Sequence, residues 1–267
     1  MVRDITIGQY YHTNSAIHRL DPRTKIIGTL VYVIALFFAQ NPYLYVTAFL
    51  VLAVYIRLSR IPLRFIFKGL KPLWMVITFT VLLTLLTVGG ARVLFEWHFI
   101  RITEIGLYSA IYLGLRLVFM IIGSGMMTYT TTPTALTDGL EKMLGWMNYL
   151  RIPVHEFAMI MSLALRFVPI LVEELDKIMK AQMARGIDFK EGNLFIRVKK
   201  LMPIMIPLFV SAVRQSNELA LAMDARCYHG GIGRTKMKPL KYQRLDYITY
   251  GLLFVYLVTM ILFAVKF

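Results

Sequence analysis

A single cysteine, Cys227, stands in a chain of 267 residues. No intrachain disulfide can form, and a metal site built on cysteines is excluded. The five histidines show no ligand spacing. The motif G-x-x-x-x-G-K-[ST] is missing; the nearest stretch, GGIGRTK from Gly230 to Lys236, has the wrong order. ATP hydrolysis by a P-loop within this chain is therefore excluded. Acid is scarce as well, with 15 Asp and Glu against 30 Lys and Arg and a net charge of +15. In a soluble chain that excess would point to nucleic acid, but no recognisable nucleic-acid motif accompanies it. A cleavable signal is not expected either, because MVRDITIGQYYHTNSAIHRLDPR precedes the first apolar run without an h-region.

What is abundant is apolar sequence: 58% of residues are hydrophobic, and the mean hydropathy is +0.62. The apolar residues come in long runs, which reads as a membrane protein. Asp21 and Pro22 suit the N-cap and first residue of a first span, and a start at Asp21 gives it about 20 residues. Arg23 and Lys25 near its start are expected to snorkel to the headgroups. QNP breaks this helix, and Pro42 to about Ser59 forms the second span. The stretch RLSRIPLRFIFKGLK carries Arg57, Arg60, Arg64, Lys68 and Lys71 and no acid, so it reads as a cytoplasmic connection. Pro72 to Val88 is the third span, residues 89–103 an outer loop, and Ile105 to about Thr128 the fourth span. Tyr247 to Val265 is the last.

The sequence thus predicts an all-α integral membrane protein with about five transmembrane helices, plus an interfacial or cytoplasmic module of long amphipathic helices. Residues 1–130 hold the N-terminal segment and spans one to four, 131–246 the amphipathic module, and 247–267 the last span. The basic excess of the connections fixes the N-terminus in the cytoplasm. Within the module, Thr137 or Asp138 is expected to cap GLEKMLGWMNYL. His155 to Arg185 reads as one helix with a polar line through Ser162, Arg166, Glu173, Lys177 and Lys180. The stretch from Leu194 to Arg226 repeats that design, with Pro203 and Pro207 starting or kinking its apolar half.

These two helices end alike. Ile178, Ala181, Ala184, Arg185 and Gly186 match Leu219, Ala222, Ala225, Arg226 and Cys227 in type and spacing. The spacing puts each set on one helical stripe that ends in a cation. The bland reading is a pair of helix C-termini, where a cation suits the dipole and Gly186 suits the residue after the last turn. Two copies suggest something more: two equivalent pegs, with small alanines for close approach and arginine forks for charged hydrogen bonds, fitting two equivalent sockets.

On these residues the chain resembles the transmembrane T component of energy-coupling-factor transporters, the vitamin-importing branch of the ATP-binding-cassette systems. GQYYHTNSAIHRLDPRTK, from Gly8 to Lys25, is similar to that family's N-terminal signature. The tips Ala184–Arg185–Gly186 and Ala225–Arg226–Cys227 resemble its paired X-Arg-X motifs, with Cys227 where the family more often has glycine. The resemblance implies that the tips dock into grooves on two P-loop ATPase subunits, a homodimer or a heterodimer. ATP and Mg would then be bound by those partners, with no cofactor in this chain. It also implies a small membrane-embedded substrate-binding S component as a further partner, and a multi-pass location in the bacterial cell membrane, in contact with lipid but not nucleic acid. The chain itself would be non-catalytic.

Sixteen methionines, most of them between Met120 and Met223, serve either as flexible core filler or as an adaptable contact surface. Met159, Met161 and Met205 are the candidates for contact with the S component. Arg116, in YLGLRLVFM, is an intramembrane charge: either a functional group, or an arginine bonded to backbone carbonyls. Arg166 has Glu173 on the same face as an expected partner. Two other readings were weighed. Glu173 and Glu174 beside a membrane helix are similar to an intramembrane protease motif, but Ile178 stands where an arginine is required. A secondary transporter calls for inverted repeats, whereas the repeat here is direct.

Overall fold

The computed structural model describes residues 10–39, 41–89, 92–97, 100–187, 194–230, 237 and 239–266. In chain order the elements are α1 (Pro22–Phe37), α2 (Pro42–Ser59), α3 (Leu63–Leu70), α4 (Trp74–Thr87), β1 (Val93–Trp97), β2 (Ile100–Thr103), α5 (Glu104–Thr130), α6 (Pro133–Met143), α7 (Val154–Ala184), α8 (Leu194–Asp224) and α9 (Arg244–Lys266). This is an all-α membrane protein in which one short hairpin is the exception. Among the described residues, four stretches are long and apolar enough to cross a membrane: Pro42–Ser59, Leu63–Thr87, Glu104–Thr130 and Arg244–Phe263.

The helix starts follow the expected local chemistry. Asp21 caps α1, its Oδ1 accepting from the Arg23 backbone N–H at 2.9 Å, and Pro22 occupies the first turn. The end of α1 differs. It closes at Phe37 after 16 residues, about 24 Å of helix, which is short of a ~30 Å hydrocarbon core. Asn41 precedes Pro42 and takes an extended conformation, as the proline ring requires of its neighbour, so α2 restarts the chain there.

The third span begins earlier than expected. Leu63–Leu70 is helical, and Pro72 sits in a single 3-10 turn, Lys71–Leu73, that leads straight into α4. A proline removes one rung of the ladder without ending a helix when the following turn tightens. Val93–Trp97 and Ile100–Thr103, expected as loop, form an antiparallel pair with Val93 opposite Thr103 and Trp97 opposite Ile100. The cap expected at Thr137 or Asp138 is not used. Instead α6 starts at Pro133, where Thr132 Oγ1 accepts from the Ala135 N–H at 3.3 Å, and Thr137 lies inside the helix donating to Pro133 O. Thr-Pro supplies a cap and a preset first turn four residues upstream of the expected site.

The chain divides into two compact units, one on Gly8–Gly139 and Leu240–Phe267, the other on Leu140–Pro239. In the first, α5 packs against α1, α2, α3 and α4, while α9 packs against α1 and α2. One core gathers Tyr32, Leu36, Leu44, Phe119, Tyr256 and Met260; a second gathers Ile66, Leu70, Ile77, Met126 and Tyr129. Gly123 is required where α5 meets α1, since a Cβ there would lie 2.6 Å from the Tyr32 ring. In the second unit, α7 and α8 pack against each other.

Candidate coupling site

The two arginine tips share one backbone geometry. At the end of α7, Gly186 N–H donates to Met183 O at 3.0 Å and Ile187 N–H to Gln182 O at 3.2 Å, with Gly186 at φ 90°. At the end of α8, Cys227 N–H donates to Asp224 O at 2.9 Å and Tyr228 N–H to Met223 O at 3.1 Å, with Cys227 at φ 56°. Both are complete Schellman motifs with the arginine at the C-cap. Cys227 therefore departs from glycine in identity and not in geometry. The backbone itself satisfies these carbonyls, so neither cap requires a guanidinium. Both Arg185 and Arg226 are exposed, as are Ala184 and Ala225 behind them.

A second feature ties the helices together. Pro207 has no N–H, which frees the carbonyl four residues back, at Pro203. That carbonyl accepts from Gln182 Nε2 at 3.3 Å, and Gln182 is buried within an otherwise exposed last turn of α7. The end of α7 is thus pinned near the start of α8. From Pro203 to Arg226 is 23 residues, about 34 Å along a helix, so the two tips stand on the order of 30 Å apart. Sequence reading missed Gln182, and the signal that points to it is the proline four residues after a carbonyl.

The outer surfaces of both helices are apolar. On α7, Phe157, Ile160, Met161 and Val168 are exposed at helical spacing; on α8, Met202, Met205, Ile206 and Phe209 are. Two of the three methionines singled out, Met161 and Met205, lie on these faces, whereas Met159 is half-buried. Along the polar line, His155 Nδ1 meets Glu141 Oε1 at 2.9 Å and Lys177 meets Glu174 at 3.6 Å. The expected Arg166–Glu173 pair does not form among the described residues, because seven positions separate them by about 10 Å along the axis.

Arg116 donates from Nη2 to Ala39 O at 2.8 Å. It places a cation at the carbonyl end of α1, where the helix dipole is negative. Arg23 and Lys25 do not snorkel. Arg23 forms a two-pronged pair with the Asp21 carboxylate at 3.0 and 2.9 Å and lies 3.9 Å over the Tyr242 ring. Lys25 is buried, with Nζ donating to Thr130 O at 2.8 Å and His18 O at 3.3 Å.

These residues belong to a polar knot that the N-terminal signature builds. Asp246, fully buried, accepts from the backbone N–H groups of Asp21 and Gln243. Tyr11 N–H donates to Tyr129 O. His18 Nε2 lies 3.0 Å from Tyr11 O and Nδ1 2.7 Å from Ser15 Oγ. A carbonyl only accepts, so Nε2 carries the proton and Ser15 donates to Nδ1. Burial and the nearby Lys25 and His12 hold the His18 pKa below its ordinary value, against the Tyr11 hydrogen bond. The knot joins the starts of α1 and α9 to the end of α5. Gly8 and Gln9 of the signature and residues 231–236 of the GGIGRTK stretch lie outside the described residues.

Comparison with known proteins identifies the family. The family model described as a cobalt transport protein, CbiQ, matches residues 13–238. Similar proteins bear the name energy-coupling factor transporter transmembrane protein EcfT. That of Clostridium kluyveri is 47% identical over 251 residues, covering 93% of this chain and 92% of its own. That of Ruminiclostridium cellulolyticum is 45% identical over 262 residues, covering 98% of each. That of Bacillus subtilis is 45% identical over 240 residues, covering 90% of this chain and 91% of its own.

Proposed function

Given that this chain belongs to the cobalt transport protein family, as a multi-pass transmembrane component of an energy-coupling factor transporter, we propose that it is the non-catalytic scaffold through which two partner ATPases drive import. Arg185 and Arg226 each enter a groove on one P-loop ATPase subunit, with Ala184 and Ala225 allowing close approach and Gly186 and Cys227 turning the chain away. The observation that carries this reading is the repetition: two exposed arginines on identical caps, on the order of 30 Å apart along the α7–α8 pair. ATP binding and hydrolysis in the partners, with their Mg, change the spacing of the two sockets. Because Gln182 pins α7 to α8, that change is passed to both helices as a pair. The exposed apolar faces around Met161 and Met205 then reorient a bound S component, which holds the vitamin or micronutrient. Arg116 stays at its post on the Ala39 carbonyl, a structural role.

The test is a set of Arg→Ala and Arg→Lys variants at 185 and 226, scored for ATPase co-purification and uptake. One alanine is expected to slow uptake while the complex persists; both are expected to release the ATPases, since linked sites reinforce each other. Lysine rescues poorly because it lacks the planar fork. A double alanine variant that keeps both ATPases and full uptake refutes the docking role.

A further inference from the structure

The membrane unit also carries a concave apolar groove of about 510 Å³ between α1, α2 and α9. Its walls include Leu20 and Gly28, Val51 and Leu58, and Leu252 and Tyr256. The rim is exposed hydrocarbon: Val54, Leu58, Leu252 and Val255 each show half or more of their surface. The one charged lining residue, Lys25, is already held by two backbone carbonyls. The rest of the polar lining is hydroxyl only, from threonines and tyrosines such as Thr24 and Tyr256, so an ionic cargo finds no free counter-charge.

Two measures identify the occupant. The first is length. On α9 the lining runs from Thr249 to Thr259, and on α2 from Thr47 to Leu58. Ten or eleven helical steps make about 15–17 Å, one leaflet of a ~30 Å hydrocarbon core and half of what a membrane-crossing partner helix would need. The second is charge. The groove's end lies where α2 stops and α9 starts, and there Arg57, Arg60 and Arg244 are exposed. Both acids nearby are buried and engaged, Asp21 by Arg23 and Asp246 by two backbone N–H groups. A groove of leaflet depth with a cationic rim at headgroup level has the form of an anionic-lipid site.

We propose that the α1–α2–α9 groove binds one phospholipid, with an acyl chain along the apolar walls and an anionic phosphate headgroup at Arg57, Arg60 and Arg244. Transfer of the chain from bulk lipid gains little by itself, so selectivity rests on the headgroup and retention on the fit of the groove.

The experiment uses the full chain in nanodiscs of equal phosphatidylcholine and phosphatidylglycerol, released into mild detergent and weighed by native mass spectrometry. One retained lipid is expected, with phosphatidylglycerol preferred. Thr29→Trp and Val51→Trp fill the groove from opposite walls. Each is expected to abolish retention, because the indole takes the volume that the acyl chain fills, while Phe79→Trp on the exposed face of α4 has no effect. The triple variant Arg57→Ala, Arg60→Ala, Arg244→Ala changes only exposed positions and so tests the site even where a groove variant fails to fold. It is expected to retain a lipid without headgroup preference. Unchanged retention in folded groove variants, a phosphatidylglycerol preference that survives the triple variant, or one-for-one displacement of the lipid by a membrane protein partner would each overturn the proposal.

Discussion

Cys227 and Gly186 occupy the same position, one residue past an arginine, and both backbones are left-handed. Glycine adopts that region without steric cost, whereas an L side chain there costs roughly 1 kcal/mol. Cys227→Gly is therefore expected to stabilise the end of α8 by about 1 kcal/mol, and Gly186→Ala to destabilise the end of α7 by a similar amount. Both are read as shifts in the denaturant midpoint of the reconstituted protein, and opposite signs are the result that matters. At His18 the sign runs with pH. Its folded pKa is lowered by burial from the ordinary 6.5, so below that pH an unfolded segment takes up a proton that the folded knot refuses. The stabilisation is present above pH 6.5 and is lost as pH falls below it. Amide exchange of residues 10–25, corrected for intrinsic rate, should quicken from pH 7 to pH 5, and His18→Asn should flatten that dependence. A pH-independent exchange in the unaltered protein contradicts the assignment of His18 as a neutral, half-buried donor.

Helix starts were legible in the sequence where a single residue type forces them: Asp21-Pro22 and Asn41-Pro42 fix α1 and α2 almost to the residue. Helix continuity was less so. Pro72 reads as a break but sits in a 3-10 turn, and the alternation of residues 93–103 is too short to separate a hairpin from a loop. The inward turn of Arg23 and Lys25 was hidden for a different reason. Beside the local partners Asp21 and His18 O, what holds them inward is the Tyr242 ring and the Thr130 carbonyl, more than a hundred residues away in sequence, and no local pattern announces these. Gln182 belongs to the same class, and it yields a test at this scale. Gln182→Leu leaves the Pro203 carbonyl without its donor, a cost of about 1–3 kcal/mol. Pro207→Ala restores an N–H to that carbonyl, so Gln182→Leu should cost clearly less in the Pro207→Ala background, and a double-mutant cycle measures the difference. Strict additivity would remove the pin. On the outer faces, Met161→Gln and Met205→Gln should weaken capture of the S component without loss of the ATPases, whereas Met159→Gln, at a half-buried site, should lower stability instead.

At the scale of the whole molecule, the class of the protein and the repeated tips were readable because both are patterns of composition and spacing. The groove was not, because it is made by three helices from both ends of the chain. Orientation lies between these cases. It rests on the basic stretch between α2 and α4, and the helical state of α3 does not weaken it: Arg64, Lys68 and Lys71 remain exposed. The Leu63–Thr87 stretch has 25 residues, about 37 Å, enough to carry the chain from that basic face to the opposite side of a bilayer. Arg92 follows it, exposed and only loosely paired with Glu104 at 3.8 Å. By the positive-inside rule Arg64 is expected in the cytoplasm and Arg92 outside. Since Cys227 is the sole cysteine and is exposed, Cys227→Gly supplies a cysteine-free background that also relieves the left-handed cap. In that background, Arg92→Cys should react on intact cells with a membrane-impermeant thiol reagent, and Arg64→Cys should react only after the cells are opened. Labelling in the reverse order would invert the protein in the membrane and turn the arginine tips away from any cytoplasmic ATPase.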